Sequence, residues 1–129
     1  MPDYLAHMLQ AIERIGRYVA DLDEAGFLAS EMTQDAVIRN IEIIGEAARN
    51  IQTVAPAFAQ AHADVPWLVM YTMRNRVSYG YDQVDLEVVW QTVKADLPRL
   101  YLQIEALARA GDFEKGVEGY PSTDSPGSK

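Results

Sequence analysis

Apolar side chains recur at intervals of three and four residues along most of this chain, and this spacing constrains the fold more than any other feature. Such intervals place apolar groups on one face of an α-helix, whereas a half-buried β-strand needs alternation at every second residue. In the segment 3–22 the repeating positions are Leu5, Met8, Leu9, Ile12, Ile15, Val19 and Leu22. The pattern predicts a first helix with one buried face.

A second helix is predicted to follow the segment 23–32. Thr33 is a residue type that caps helix N-termini, and Asp35 would then stand in the first turn, where negative charge suits the helix dipole. Gly45 lets another backbone come close, and Pro56 is expected to end the helix. The expected core positions are Val37, Ile41, Ile44, Ala48 and Ile51.

Two more helices are predicted in the second half of the chain. Pro66 is expected to open the third, which runs to about Ser78, because proline is tolerated in the first helical turn. Gly80 is expected to end it through a left-handed conformation, and Asp85 to begin the fourth helix. The core positions of the fourth helix are Val89, Val93, Leu97, Leu100, Ile104 and Leu107.

The predicted architecture is all-α, a four-to-five-helix up-down bundle that occupies residues 1–110. Pro98 lies inside the fourth helix and is expected to kink it near Lys94. Residues 111–129 contain four glycines, two prolines and three serines and show almost no apolar periodicity. This composition predicts a polar C-terminal tail outside the helical domain.

Composition excludes several kinds of site. At 129 residues without a cysteine, the chain fits one domain and lacks disulfides, thiolate metal sites and cysteine nucleophiles. No apolar run is long enough for a signal peptide or a membrane span, so we expect a soluble, cytoplasmic protein with no membrane contact. The net charge of −8 disfavours general binding to nucleic acid. Any contact with RNA therefore needs a local basic site.

One basic segment exists. Between Asp64 and Asp82 there is no acidic residue, while Arg74 and Arg76 lie in that interval. One interpretation is a small positive site in an acidic protein. The other is a helix that is mostly core and carries few charges of either sign.

The run Met73-Arg74-Asn75-Arg76-Val77-Ser78-Tyr79-Gly80-Tyr81 carries a resemblance to a known family. It resembles the HepT group of HEPN domains, in which an Arg, usually followed by Asn, precedes a His by four to six residues. In that group one residue and then a Tyr follow the His. Arg74, Asn75 and Tyr81 match this pattern, whereas Tyr79 stands at the His position. Similarity in the segments 44–47 and 84–98 extends the resemblance over roughly residues 3–107.

The resemblance implies a toxin that is a metal-independent endoribonuclease and needs no cofactor. It implies a homodimer in which the motifs of both subunits face each other, and an RNA substrate, with tRNA among the candidates. It also implies a partner, a minimal nucleotidyltransferase antitoxin that attaches AMP to the trailing tyrosine, here Tyr81. The implied catalytic positions are Arg74, Asn75 and Tyr79, with Arg76 as a candidate RNA phosphate contact and no metal ligands.

The chemistry of RNA cleavage makes Tyr79 the decisive departure from the family pattern. Cutting RNA without a metal needs a group of near-neutral pKa to move a proton and a guanidinium to stabilise the phosphate. A phenol is ionised at only about one part in a thousand at pH 7, so it is a poor substitute for imidazole. We therefore expect an inactive form. A natural loss and an engineered change fit the sequence equally.

Several other residues have a structural interpretation beside the functional one. Tyr81 is either the modified residue or a side chain packed against Trp90 or Trp67. Glu46 is interpreted as a structural acid paired with an arginine such as Arg39 or Arg49. The two histidines, His7 and His62, have no motif around them and are predicted to be surface or packing residues.

Helix geometry raises a difficulty for a site within one chain. Arg74 and Tyr81 would share a face of an unbroken helix, whereas position 79 would point well away from Arg74. We therefore expect either convergence of groups from two chains or unwinding at residues 78–80. The third helix is expected in the dimer interface because Trp67, Met70, Tyr71 and Val77 exceed the apolar surface that a small bundle needs. The alternative function is a non-enzymatic dimeric helical module that binds phosphate, a nucleotide or a protein.

Overall fold

The computed structural model describes residues 3–79 and 85–110, and for residues 74–79 it describes the backbone alone. These residues form helices joined by short connections, which confirms the all-α prediction. The helices are α1 (Tyr4–Val19), α2 (Glu24–Leu28), α3 (Glu31–Val54), α4 (Pro56–Ala61), α5 (Trp67–Tyr79), α6 (Leu86–Gln91) and α7 (Leu97–Ala110), with a π-helical turn (Thr92–Asp96) between the last two. Gly80 and the predicted tail 111–129 lie outside the described residues.

The long helix α3 lies at the centre of the bundle. It packs against α1 and against α5, and α1 also packs against α7. The predicted core positions of the second and fourth helices are all buried, as are those of the first apart from the half-buried Leu9 and Leu22. Gly45 is buried on α3, as a close approach of another helix requires. None of the described helices is both long and apolar enough to cross a membrane.

The start of α3 differs from the prediction. Ser30, not Thr33, is the N-cap, and its hydroxyl accepts a hydrogen bond from the Thr33 N–H at 3.3 Å. The acid in the first turn is consequently Glu31 instead of Asp35. No helix was predicted in the preceding segment 23–32, but this segment contains the short helix α2 and the first two residues of α3. Asp23 caps α2 by accepting from the Gly26 N–H at 2.8 Å.

Proline residues shape the other boundaries. The helix α3 ends at Val54, as expected before Pro56, but Pro56 also opens the short helix α4. Pro98 has no N–H for the carbonyl of Lys94, and its ring crowds that carbonyl. The structure accommodates this in the π-helical turn, where the Leu97 N–H donates to the Thr92 carbonyl five residues earlier. The predicted irregularity near Lys94 is thus a widened turn.

Two polar contacts tie α1 to its neighbours. Arg14 Nε donates to Asn40 Oδ1 at 2.8 Å, and Asn40 Nδ2 donates to the carbonyl of Ala36 at 2.8 Å. At the other side of α1, the Tyr101 hydroxyl of α7 donates to Glu13 Oε2 at 2.7 Å. This hydrogen bond raises the pKa of the Tyr101 phenol above its ordinary value, because the phenolate would lose the bond to Glu13.

Candidate functional site

The helix α5, which carries the family motif, is anchored at its first residue. Trp67 is 4% exposed, and its indole Nε1 donates to the carbonyl of His62 at 3.1 Å. Its ring lies 6.2 Å from that of Phe58 on α4, measured between centroids. One turn later, Met70 is 6% exposed. The first half of α5 is therefore fixed by the core, and it positions the second half.

The second half of α5 contains four of the five predicted site residues. Arg74, Asn75, Arg76 and Tyr79 lie on the last two turns of this helix, which continues to Tyr79. Their side chains belong to the part of the chain that the structure leaves undescribed, and Tyr81 lies outside the described residues altogether. The structure thus places the backbone of the motif as far as Tyr79.

The helical backbone bears on one of the alternatives raised by the sequence, unwinding at residues 78–80. Ser78 and Tyr79 are within α5 and are not unwound, whereas Gly80 lies outside the described residues. Positions 74 and 79 are five residues apart, which separates them by about 140° around a helix axis. Within one chain the two positions therefore point in different directions from α5.

A basic side chain of α3, that of Arg49, contacts an aromatic ring of α5. The guanidinium carbon of Arg49 lies over the ring of Tyr71, 5.6 Å from its centroid. Arg49 is exposed and Tyr71 is half-buried, one turn before Arg74 on α5. Arg39 lies 3.6 Å from Glu42, and the predicted pairing of Glu46 with Arg39 or Arg49 stays a prediction. The Arg49–Tyr71 contact joins residues far apart in the sequence, so no sequence pattern signalled it.

Two of the four residues on which the predicted interface on α5 rested, Trp67 and Met70, are buried in the core of the chain itself. The homodimer and the place of α5 in its interface stay predictions. Among the described side chains of α5, the exposed apolar residues are Leu68 and Val69, at 64% and 60% of their surface. These residues were not singled out from the sequence. Burial depends on where α3 and α7 lie, and the sequence of α5 does not contain that information.

A mostly apolar cavity of about 230 Å³ lies where α3, α5 and the C-terminal helical region meet. Its walls include Ile44, Met70 and Leu97, while Asp96 and Arg99 contribute charged groups. It opens beside the first half of α5, with Met73 as the lining residue nearest to the motif. The cavity therefore lies beside the first half of α5.

Neither histidine lies on α5, the helix that carries the motif. His7 is exposed at the start of α1, with its ring edge-on to Tyr4 at 6.4 Å. His62 is half-buried after α4, with its ring 4.7 Å from that of Phe58. Both are surface or packing residues, as predicted. Among the described residues, no group of His, Cys, Asp and Glu side chains has the arrangement of a metal site.

Comparison with known proteins identifies the family. Residues 8–107 match the HepT-like family, described as "Ribonuclease HepT-like". A Thermococcus cleftensis protein described as "Probable ribonuclease HepT" is 40% identical over 107 residues, which are 83% of this chain and 94% of that protein. A Caldanaerobacter subterraneus protein described as "Putative RNase" is 30% identical over 104 residues, which are 81% of this chain and 90% of that protein.

A longer relative contains the same kind of region. A Methanocaldococcus jannaschii protein described as "Gamma-glutamylcyclotransferase and putative RNase" is 42% identical over 112 residues, which are 87% of this chain but 49% of that protein. No solved structure shows significant similarity. The family match covers most of the helical bundle, including the whole of α3 and α5. This chain therefore belongs to the HepT-like ribonuclease family.

Proposed function

We propose that the protein is the toxin component of a toxin–antitoxin system, built on an endoribonuclease fold but catalytically inactive in this form. The observation that carries the proposal is the motif within a HepT-like chain, with Arg74 and Asn75 present and Tyr79 in place of histidine. Relatives described as ribonucleases support the reaction class. RNA, with tRNA among the candidates, is the proposed substrate, and the cytoplasm is the proposed location.

Each motif residue has a proposed role in metal-independent cleavage. Arg74 stabilises the charge that develops on the scissile phosphate, Asn75 contributes a polar hydrogen-bonding group, and Arg76 contacts a neighbouring phosphate. Position 79 should supply the proton-transfer group. A phenol with an ordinary pKa of about 10 does not exchange protons efficiently at neutral pH, which is the reason for the proposed inactivity.

We propose that the active unit is a homodimer with the motifs of both chains at one site. Positions 74 and 79 lie about 140° apart around the axis of α5, as any two positions five residues apart on a helix do. This separation supports a site to which two chains contribute. The exposed Leu68 and Val69 on the same helix provide apolar surface for a partner. Sedimentation at micromolar concentration should give a dimer, and the double change Leu68→Ser and Val69→Ser should shift it to monomer. A purely monomeric native protein would contradict this proposal.

We propose that a minimal nucleotidyltransferase antitoxin controls the toxin by modifying Tyr81. The Tyr81 hydroxyl attacks the α-phosphate of ATP, an ester bond to AMP forms, and pyrophosphate leaves with the proton of the phenol. The added phosphate would interact with Arg74 and Arg76 and occupy the place of the RNA phosphate. Incubation with the antitoxin and ATP, followed by peptide mass spectrometry, should place the adduct on Tyr81 in preference to Tyr79. Tyr81→Phe is the control that should abolish it.

The decisive experiment restores the missing group. Tyr79→His should produce RNA cleavage that the native protein lacks, and adding Arg74→Ala should remove it again. Tyr79→Phe is the matched control, because it changes the same position without introducing a group of near-neutral pKa. Cleavage is measured on total tRNA and on single-stranded RNA in the presence of a chelator. A folded, dimeric Tyr79→His variant without cleavage would favour the alternative, a non-enzymatic dimeric module that binds phosphate, a nucleotide or a protein.

A further inference from the structure

An arginine and an aromatic ring meet where α3 packs against α5. The Cζ atom of Arg49 lies 5.6 Å from the ring centroid of Tyr71, within the range of a cation–π interaction. Tyr71 is half-buried, whereas Arg49 is exposed. The guanidinium therefore lies over a half-buried ring, while Arg49 stays exposed to solvent. Arginine is suited to this arrangement because its guanidinium is planar and weakly hydrated.

The position of this pair links it to the motif. Tyr71 and Arg74 are three residues apart on α5, so they are neighbours on the helix surface with an axial separation of about 4.5 Å. The helix α5 contains no acidic residue. Arg49 therefore brings a cation from α3 to the part of α5 that lies one turn before Arg74. In a protein with a net charge of −8, a concentration of positive charge at one place favours a local anionic ligand.

We propose that Arg49, supported by Tyr71, forms a stacking platform for one RNA base beside the phosphate that the motif binds. Unpaired bases stack on guanidinium planes as well as on aromatic rings, and such stacking tolerates any base because each has a π-face. Arg49 is a positioning residue in this arrangement: it holds the nucleotide next to the scissile phosphate and does not contact the reacting atoms. The inference rests on the proposed function, since it takes RNA as the ligand.

The test measures binding of fluorescein-labelled single-stranded oligouridylate to the full-length native protein by anisotropy. Arg49→Ala should weaken binding roughly tenfold, the size expected for the loss of one stacked base. Arg49→Lys keeps the charge but loses the planar group, so it should weaken binding nearly as much. Arg39→Ala is the matched control, because it removes an exposed arginine from the same helix about 15 Å away along the axis. It should change binding less than about twofold, as expected outside the site.

Abasic probes separate stacking from charge. When single bases are removed in turn from the oligouridylate, the affinity of the native protein should fall at one position. The affinity of Arg49→Ala should not fall further when the base at that position is removed. The affinity of Tyr71→Leu should likewise not fall at that position, and the leucine keeps apolar bulk against α3. Unchanged thermal unfolding of each variant shows that the fold is intact.

Three results would overturn the platform: Arg49→Lys that binds like the native protein, Arg49→Ala that behaves like Arg39→Ala, or no measurable binding of RNA by the native protein. The catalytic proposal is tested by a separate experiment. If Tyr79→His does not cleave RNA while binding still depends on Arg49, the catalytic proposal fails and the platform stands.

Discussion

The first half of the described chain, residues 3–54, and the helix α5 are stabilised in different ways. The helices α1 and α3 each begin at a side-chain cap, Asp3 and Ser30, and each buries one continuous apolar stripe. The helix α5 buries Trp67 and Met70 but leaves Leu68 and Val69 exposed, and its last two turns carry the polar motif. The rest of the bundle therefore supports α5, and α5 exposes residues that the core does not bury, Leu68 and Val69.

The largest effect is expected in the first half of the chain. Phe27 on α2 is fully buried, and its ring lies 5.4 Å from that of Trp90 on α6. Phe27→Ala should lower the free energy of unfolding by about 4 kcal/mol, because it removes a large apolar group and leaves a cavity. Urea denaturation measures the change. The control is Met32→Ala, at a residue that is 81% exposed, which should stay within about 0.5 kcal/mol.

A pair of variants tests the division within α5 itself. Met70→Ala should lower the free energy of unfolding by about 3 kcal/mol, since Met70 is 6% exposed. Leu68→Ala, two residues away and 64% exposed, should change it by less than about 0.5 kcal/mol when measured at a concentration where the protein is monomeric. Equal effects at the two positions would show that α5 is buried on both faces and would remove the basis of the comparison.

The buried polar contact between α1 and α3 should have an intermediate effect. Asn40 is 5% exposed and bonds to both Arg14 and the carbonyl of Ala36. Asn40→Ala should cost about 2 kcal/mol, because it leaves the part-buried Nε–H of Arg14 without its acceptor and removes the side-chain hydrogen bond to the Ala36 carbonyl. In a double-mutant cycle with Arg14→Ala, the two losses should not add. Strict additivity would mean that the contact contributes nothing to the pairing of α1 with α3.

The cap of α3 should contribute less. Ser30→Ala removes the acceptor for the Thr33 N–H and should lower the free energy of unfolding by about 1 kcal/mol. Ser30→Asp keeps an acceptor at the N-cap and should retain most of the stability. If both variants lose the same amount in thermal and urea unfolding, the hydrogen bond is not the source of the effect.

The smallest expected effect is a change in the pKa of one tyrosine, Tyr101. The hydrogen bond to Glu13 raises the pKa of Tyr101 in the folded protein, so the folded state holds this proton more tightly than the unfolded state. The stabilisation is complete below the unfolded pKa and is lost as pH rises through the folded pKa. Ultraviolet titration should show one tyrosine with a lower pKa in Glu13→Gln than in the native protein. Tyr101→Phe should remove that tyrosine from the titration, and an identical curve for Glu13→Gln would contradict the assignment.

The sequence alone determined much of the bundle. The apolar stripes of α1, of α3 and of the region from α6 to α7 could be predicted correctly, because the burial of one helix face imposes a spacing of three and four residues. Asp85 was correctly expected at the start of α6, where it accepts hydrogen bonds from the N–H groups of Glu87 and Val88. The motif around Arg74 was also visible, since a family pattern is a local property of the chain. Its catalytic and modification roles remain predictions.

Tertiary structure decided what local spacing does not encode. Thr33 and Ser30 are equally plausible caps in isolation, and the choice of Ser30 depended on the short helix α2, which Phe27 anchors in the core. The four apolar residues from Trp67 to Met70 look alike in sequence. Only the positions of α3, α4 and α7 decide that the first and last are buried and the two between them are exposed. The contact of Arg49 with Tyr71 likewise exists only because α3 packs on α5, since distance along the chain carries no information about distance in space.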